Sequence, residues 1–424
     1  MLQNINRLTF VDMELSDSLL LHFNKFGRIT ALLTSPANLQ KLLELDAGHN
    51  ISGIQVKGKE KMRILDERIF NLKSLKYLHL YNQGLPVLPD IPENHTLEGL
   101  NLAGNAFSEL PYVVGQLKSL RYINLAGNDL TAFPMNVRLE KLKSLSISPK
   151  SSAIHRNMEI RSGFSEYFPA LSDLSVHGYD TLIIRDFSLD LNLQILYFTA
   201  NFIAVDAMET DTLVRSGHFV LQGKTIDGRS GSYPNVPEME IRETEADALP
   251  SSLRNNTNLK KLSFSSANFG RLSFTALPES IRYIHFAVDN ITEVDEDINR
   301  LKALNYVAFN NNLITEVPRI DLPELNELNL SGNKIRIIRY LPAAREITFL
   351  GNEIESIDDS VTFPDKLEVL DLAINDLPVI PSALAKAETL KELDLSENEI
   401  TEIPDFIPAL SNILVGGELG PLHK

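Results

Sequence analysis

A chain of 424 residues with net charge −16, 43% hydrophobic and 23% charged side chains has ordinary globular composition and no signature of disorder. Its acidic balance argues against non-specific binding to nucleic acid or to anionic membrane surfaces, which both require a positive face. The absence of cysteine removes disulfides, thiolate zinc sites and every cysteine nucleophile.

The opening MLQNINRLTF lacks a basic stretch followed by a long apolar run, and no segment approaches the roughly 18 apolar residues of a membrane span. A cytoplasmic protein without membrane insertion is the default expectation, and export without a cleaved signal stays open. Ile5-Leu8-Phe10 and Phe26-Ile29-Ala31 read as degenerate copies of a pattern that becomes clear later, while residues 17–26 and 37–45 look helical. Residues 1–50 are therefore expected to form an amino-terminal cap, since an exposed end of a repeat array needs covering.

From Ile51 the chain repeats. Leu97-Glu-Gly-Leu100-Asn-Leu102-Ala-Gly-Asn105-Ala-Phe107 reads L-x-x-L-x-L-x-x-N-x-L. The same frame has origins at 75, 97, 120, 142, 171, 193, 259, 281, 304, 325, 344, 367 and 390, mostly 21 to 23 residues apart, with weaker copies at Ile51, Ser216 and Val236. This gives about 16 units over residues 51–412, or 18 with the amino-terminal pair, and leaves 413–424 as a closing tail. Positions 4 and 6 alternate, as in a short strand with one buried side. Asn at position 9 can bond the backbone of its own turn and of the neighbouring unit, and it recurs at residues 105, 128, 201, 312, 333, 352, 375 and 398. It is replaced at Gln83, Lys150, Tyr179, Lys224, Thr244, Ala267 and Asp289, so irregularity is expected over residues 142–290. Residues 148–157 and 223–235 look like exposed loops there. Segments such as Asp297–Leu304 and Ser382–Leu390 are expected to be short turns or helices on the return path.

This iterated motif resembles the leucine-rich-repeat family over nearly the whole chain, in its 22–23-residue bacterial and intracellular class. The resemblance implies an α/β solenoid: a right-handed horseshoe with a parallel concave β-sheet and short helices or turns on the convex side. Leu85-Pro86-Val-Leu88-Pro89 is similar to the L-P-x-L-P repeats of secreted effectors of enteric pathogens, but over one repeat only. Some of those effectors are ubiquitin ligases with a catalytic cysteine, an activity this cysteine-free chain cannot share.

Positions 3 and 5 point out of the sheet, so their identities are informative about function. Tyr77, His79, Tyr81 and Tyr122 form one aromatic cluster in this frame, and Tyr283, His285 and Tyr306 a second, with Tyr197 between them in sequence. Exposed tyrosines supply apolar area plus a hydroxyl to protein interfaces; they are equally good strand residues with no other role. Glu327, Glu346, Asp371, Glu392 and Asp394 fall on the same face of the last repeats, together with Glu368 and Glu397. They could steer a basic partner, or simply be the solvated face of an acidic protein, the commoner case.

Catalytic signals fail. Gly223-Lys224-Thr225 lacks the first glycine of a phosphate loop, where His218 stands. His177 and His218 have no metal-ligand spacing, and Asp295-Glu296-Asp297 and Asp358-Asp359 lack the pattern of a calcium loop. Asn94-His-Thr96 matches a glycosylation acceptor without a secretion signal to support it. The expectation is a non-catalytic scaffold that binds another protein on its concave face, with no cofactor and no metal. An exported effector, or a receptor for a surface ligand or glycan, is the alternative. An enzyme or enzyme regulator would need a deep pocket near residues 148–168 or 223–235.

Overall fold

The computed structural model describes residues 5–10, 13–58, 60–93, 95–151, 157–161, 163–185, 194–206, 218–223, 225–227, 236–405 and 412–414. The chain divides into two compact units, Met1–Gly217 and His218–Lys424.

In the first unit each repeat contributes one strand, and every strand pairs in parallel with the next. The order is Ile5–Phe10, Ile29–Thr34, Gly53–Val56, Tyr77–His79, Gly99–Asn101, Tyr122–Asn128, Ser144–Pro149, Asp173–Arg185 and Ile195–Asp206. The second unit continues the same rule within itself, from His218–Gln222 through Glu238–Arg242, Lys261–Ser265, Tyr283–Ala287, Tyr306–Ala308, Glu327–Asn329, Glu346–Thr348, Val369–Asp371 and Glu392–Asp394 to Asn412–Leu414. Register is position on position: Tyr283 lies opposite Tyr306, Tyr306 opposite Glu327, and Glu327 opposite Glu346. Positions 4 and 6 of neighbouring repeats therefore stack inside, as Leu78 with Leu100 and Ile284 with Val307, all 3% exposed or less. In the second unit position 6 carries a file of phenylalanines. Phe264 and Phe286 stack at 5.4 Å between ring centroids, and Phe309 follows at 6.1 Å. Return paths contain short 3₁₀ helices, as at Glu67–Asn71, Tyr112–Gln116, Glu296–Arg300 and Ser382–Lys386.

The position-9 asparagines hold the corners. Asn128 is fully buried; its Nδ2 donates to the carbonyls of Leu102 (3.0 Å) and Leu125 (2.8 Å), and its Oδ1 accepts from the Phe107 amide (3.1 Å). One side chain thus satisfies backbone of two adjacent repeats that water cannot reach. Asn105, Asn312, Asn333, Asn352, Asn375 and Asn398 make equivalent bonds.

Several expectations need correction. Asn201 is not a rung: it is exposed on the strand Ile195–Asp206, with its Nδ2 on Asp180 Oδ1 at 3.1 Å. The reason is local. Its neighbour Asp173–Arg185 does not turn after position 8 but passes a bulge at Gly178 (φ 75°) and stays extended. Ladder bonds then satisfy the corner backbone directly, and Tyr179 turns inward to 2% exposure. The Phe26-Ile29-Ala31 frame is three residues early, because Leu32, not Ile29, lies opposite Leu8 and Ile54. The expected loop at 148–157 ends in a strand, Asn157–Ile160, which pairs with Thr181–Ile184; residues 152–156 lie outside the described residues. Residues 223–235 likewise hold a strand at Thr225–Asp227, with Lys224 and 228–235 outside the described residues. The sheet runs to Leu414, past the expected end of the array, and the tail from 415, like Asn94, lies outside the described residues. Residues 17–22 and 36–44 are helices, and the Ile5–Phe10 and Ile29–Thr34 strands belong to the first unit's sheet.

Asn128→Ala is expected to cost about 3 kcal/mol, since it strands two buried carbonyls and an amide. Asn201→Ala should fall within about 0.5 kcal/mol of wild type. Urea-induced unfolding of both variants checks the contrast.

Candidate protein-binding face

Because registers match position on position, residues at positions 3 and 5 line up across the strands into columns on the open face of each sheet.

In the first unit Tyr77, Tyr81 and Tyr122 are 41%, 58% and 47% exposed. Gly99 stands between Tyr77 and Tyr122 in the position-3 column. A Cβ there would come within 2.8 Å of Tyr77 Cδ1, so the Tyr77 ring lies across the bare glycine backbone toward Tyr122. His79 is half-buried, and that burial lowers its pKa, which keeps the imidazole neutral at neutral pH. Tyr197 lies apart from this group: it pairs with Ser175, with the Ser144–Pro149 and Asp173–Arg185 strands between it and Tyr122.

The second unit brings its predicted residues into one continuous strip. Tyr283 and Tyr306 stack with centroids 4.1 Å apart and planes 7° from parallel. Beside them His285 Nε2 and Asn310 Oδ1 are 2.7 Å apart. Burial raises the Tyr306 phenol above the ordinary range, and the neighbouring Tyr283, Glu327 and Glu346 push the same way. Next in the position-3 column come Glu327 and Glu346, directly opposite one another. Burial, then the Glu346 charge, raises the Glu327 pKa. In the position-5 column Asp371 faces Asp394. Burial raises the Asp371 pKa against the pull of the Ala373 amide, and Asp394 and Glu346 add to the rise. Among the described residues no lysine or arginine forms a salt bridge with Glu327, Glu346, Asp371, Glu392 or Asp394.

That is a local condition and not a property of the whole face. Glu238 pairs with Lys261 at 2.9 Å and Glu240 with Arg242 at 2.6 Å on the preceding strands. Glu368, expected among the free carboxylates, is instead bound by Lys391 (2.7 Å) and Arg345 (3.0 Å), which hold its carboxyl below the usual range. Asp295 and Asp297 are structural as well: Asp297 accepts from the Phe274 amide (2.9 Å) and Ser273 Oγ (2.6 Å), and Asp295 takes Arg271 (3.1 Å). Asp295 lines an open cleft of about 580 Å³ on the return path, where Arg271 pairs with both Asp295 and Glu293.

Sequence reading missed two residues. Val288 and Ile374 occupy position 8 with φ of 61° and 54°, a left-handed conformation that other repeats give to Gly104, Gly127, Gly332, Gly351 or Asn311. A β-branched residue there is strained. Both side chains are about half exposed, so burial does not compensate for the strain. Their signal was present in the repeat frame, as β-branched residues in a column that other repeats fill with Gly, Asn, Ser266, Glu243 or Glu397.

A family model described as Leucine Rich Repeat matches residues 389–410. Among solved structures, a chain of the Drosophila Toll–Spatzle complex superposes with a TM-score of 0.58 at 14% identity, over 92% of this chain and 65% of that one. A Leptospira interrogans leucine-rich-repeat protein aligns with a TM-score of 0.48 at 20% identity, covering 96% of this chain and 95% of that one. YopM from Yersinia enterocolitica gives 0.49 at 20% identity, covering 97% and 80%.

Glu346→Gln is expected to raise the melting temperature near pH 7, because it removes a like charge facing Glu327. Glu327 has a folded pKa above its unfolded value, so its contribution is favourable at low pH and is lost as pH rises. The gain should therefore vanish near pH 3, where Glu327 is protonated and offers no charge to repel; thermal denaturation at the two pH values reads the difference.

Proposed function

We propose that this leucine-rich-repeat protein is a non-catalytic binding scaffold, and that the open sheet face of its second unit receives a protein partner through an exposed basic segment. One observation carries the reading: a stacked tyrosine pair runs directly into carboxylates that no described cation neutralises, whereas on the preceding strands Glu238 pairs with Lys261 and Glu240 with Arg242. Like charges set opposite each other across strands cost stability. A cationic segment would relieve that cost and gain from the tyrosine faces. Strands lie about 4.8 Å apart, and an extended peptide repeats its side chains on one side about every 7 Å. Lysine or arginine at alternate positions would thus come into step with the strands about every 14 Å, two side-chain repeats against three strands.

Val288 and Ile374 fit the same reading as apolar contacts, being strained and open to solvent without serving the core. Tyr77 and Tyr122 offer a contact of their own on the first unit. His285 is bonded to Asn310 and not to a nucleophile, which supports binding over catalysis. The fold is compatible with such a role: the structure of the Toll–Spatzle complex contains a chain of similar fold.

The test uses fluorescence anisotropy with labelled extended peptides bearing Arg or Lys at alternate positions, and an acidic peptide of the same length as control. Binding of the basic peptides should fall steeply with salt. Combined replacement Glu327→Gln, Glu346→Gln, Asp371→Asn and Asp394→Asn should weaken it roughly tenfold or more. Ile374→Asn should weaken it too while stabilising the fold by about 1 kcal/mol, since Asn accepts the left-handed conformation. Equal affinity for the acidic peptide, or indifference to all of these substitutions, would refute the assignment.

A further inference from the structure

Asp289 breaks the asparagine ladder in a specific way. It holds position 9 of its repeat, at the corner after the Tyr283–Ala287 strand, and is fully buried. Its Oδ1 does what an asparagine Oδ1 does, accepting from the Ala267 amide of the preceding repeat at 2.8 Å. Its Oδ2 has no hydrogen-bond partner. At the next rung the corresponding atom is Asn312 Nδ2, which donates to the Phe286 carbonyl at 2.9 Å. At Asn128 it donates to position-6 carbonyls of two repeats. Asp289 therefore sets an oxygen where every other intact rung sets a donor. Two acceptors facing each other in a water-free corner repel, unless one of them carries a proton.

Nothing charged is at hand to offer another solution. The preceding corner is Ala267-Asn268-Phe269, the following one Asn310-Asn311-Asn312-Leu313, and the corner itself is Val288-Asp289-Asn290-Ile291. None of these neighbours titrates. On the inner side of these repeats Phe264, Phe269, Phe286 and Phe309 pack ring against ring and carry no charge. His285, on the same strand, lies on the open face and is engaged with Asn310. The same corner already contains strained Val288 (φ 61°) and left-handed Asn290 (φ 52°), so it has little stability to spare.

We propose that Asp289 is a protonation-gated rung, in which the carboxyl proton on Oδ2 stands in for the asparagine NH₂ and its loss loosens the corner that ends the Tyr283–Ala287 strand. Burial supports this by raising the Asp289 pKa to about 7, against the opposing pull of the Ala267 and Ala287 backbone. The sign follows from linkage: a carboxyl whose folded pKa lies above its unfolded value contributes fully at low pH, and that contribution is lost as pH rises through about 7. The corner tightens on acidification and slackens on the alkaline side, opposite to a salt-bridged carboxylate. Tyr283 and His285 lie on the strand that this corner terminates, so the gate acts next to the tyrosine stack.

Asp289→Asn tests this, because it installs the residue the ladder uses elsewhere and should fold. Melting temperatures of the full chain and the variant should be close at about pH 5, and the variant should melt several degrees higher at about pH 9. Every other ionisable side chain is common to both proteins and cancels in the difference. Independently, an infrared difference spectrum should show a protonated carboxylic C=O band below about pH 6 that bleaches as pH rises and is missing from Asp289→Asn. Amide exchange at Ala267, corrected for its intrinsic pH dependence, should accelerate above neutrality in the wild type alone. Parallel melting curves across the pH range, or an unchanged infrared band in the variant, would overturn the proposal.

Discussion

Everything in this structure depends on how a chain can leave a buried parallel strand, turn, and return one repeat later without stranding its peptide groups. The asparagine rung is the solution. A single side chain donates to carbonyls of two repeats and accepts an amide of one, as Asn128 does with Leu102, Leu125 and Phe107. That shared bond fixes each repeat to its neighbour at zero offset. Zero offset in turn makes columns of like positions, and the columns bring Tyr283 over Tyr306 and Glu327 beside Glu346. The arrangement of the open face is thus a consequence of corner chemistry on the edge of the sheet.

Where the rung is missing, the backbone finds another partner or stays compromised. At Tyr179 the strand runs on past a glycine bulge, and ladder bonds with the Ile195–Asp206 strand replace the side-chain bonds. At Asp289 the strand stays short, the carboxylate keeps half of the asparagine's bonds, and the other half is left without a donor. The two cases differ because the first supplies neighbours that can extend with it, whereas the second adjoins regular rungs at Asn312 and beyond that hold its partners to the short form.

The open face shows the same economy of design in its charges. Pairs such as Glu238 with Lys261 and Glu368 with Lys391 balance their own charge and contribute little to stability. The run of carboxylates from Glu327 to Asp394 is different because successive repeats place like beside like, and partial burial denies them full hydration. A cationic cover would relieve that repulsion, which is the physical basis of the proposed interface.

The sequence by itself determined the repeat, its frame from Ile51 onward, where each repeat's strand begins, the inward leucines and phenylalanines, and most rungs, because each follows from a local pattern of period two and a fixed corner residue. It also determined which residues share a face, since the period-2 alternation settles that without knowledge of contacts. What only the tertiary structure decided were matters of partnership. That Glu368 is bound while Glu327 is free depends on side chains one repeat away. That Asn201 faces solvent depends on whether the preceding repeat turns or bulges, and that Asp289 lacks a donor depends on the carbonyls of two neighbouring repeats. A single repeat can specify its own strand and corner, but the state of a buried polar atom is set by what the next repeat presents to it.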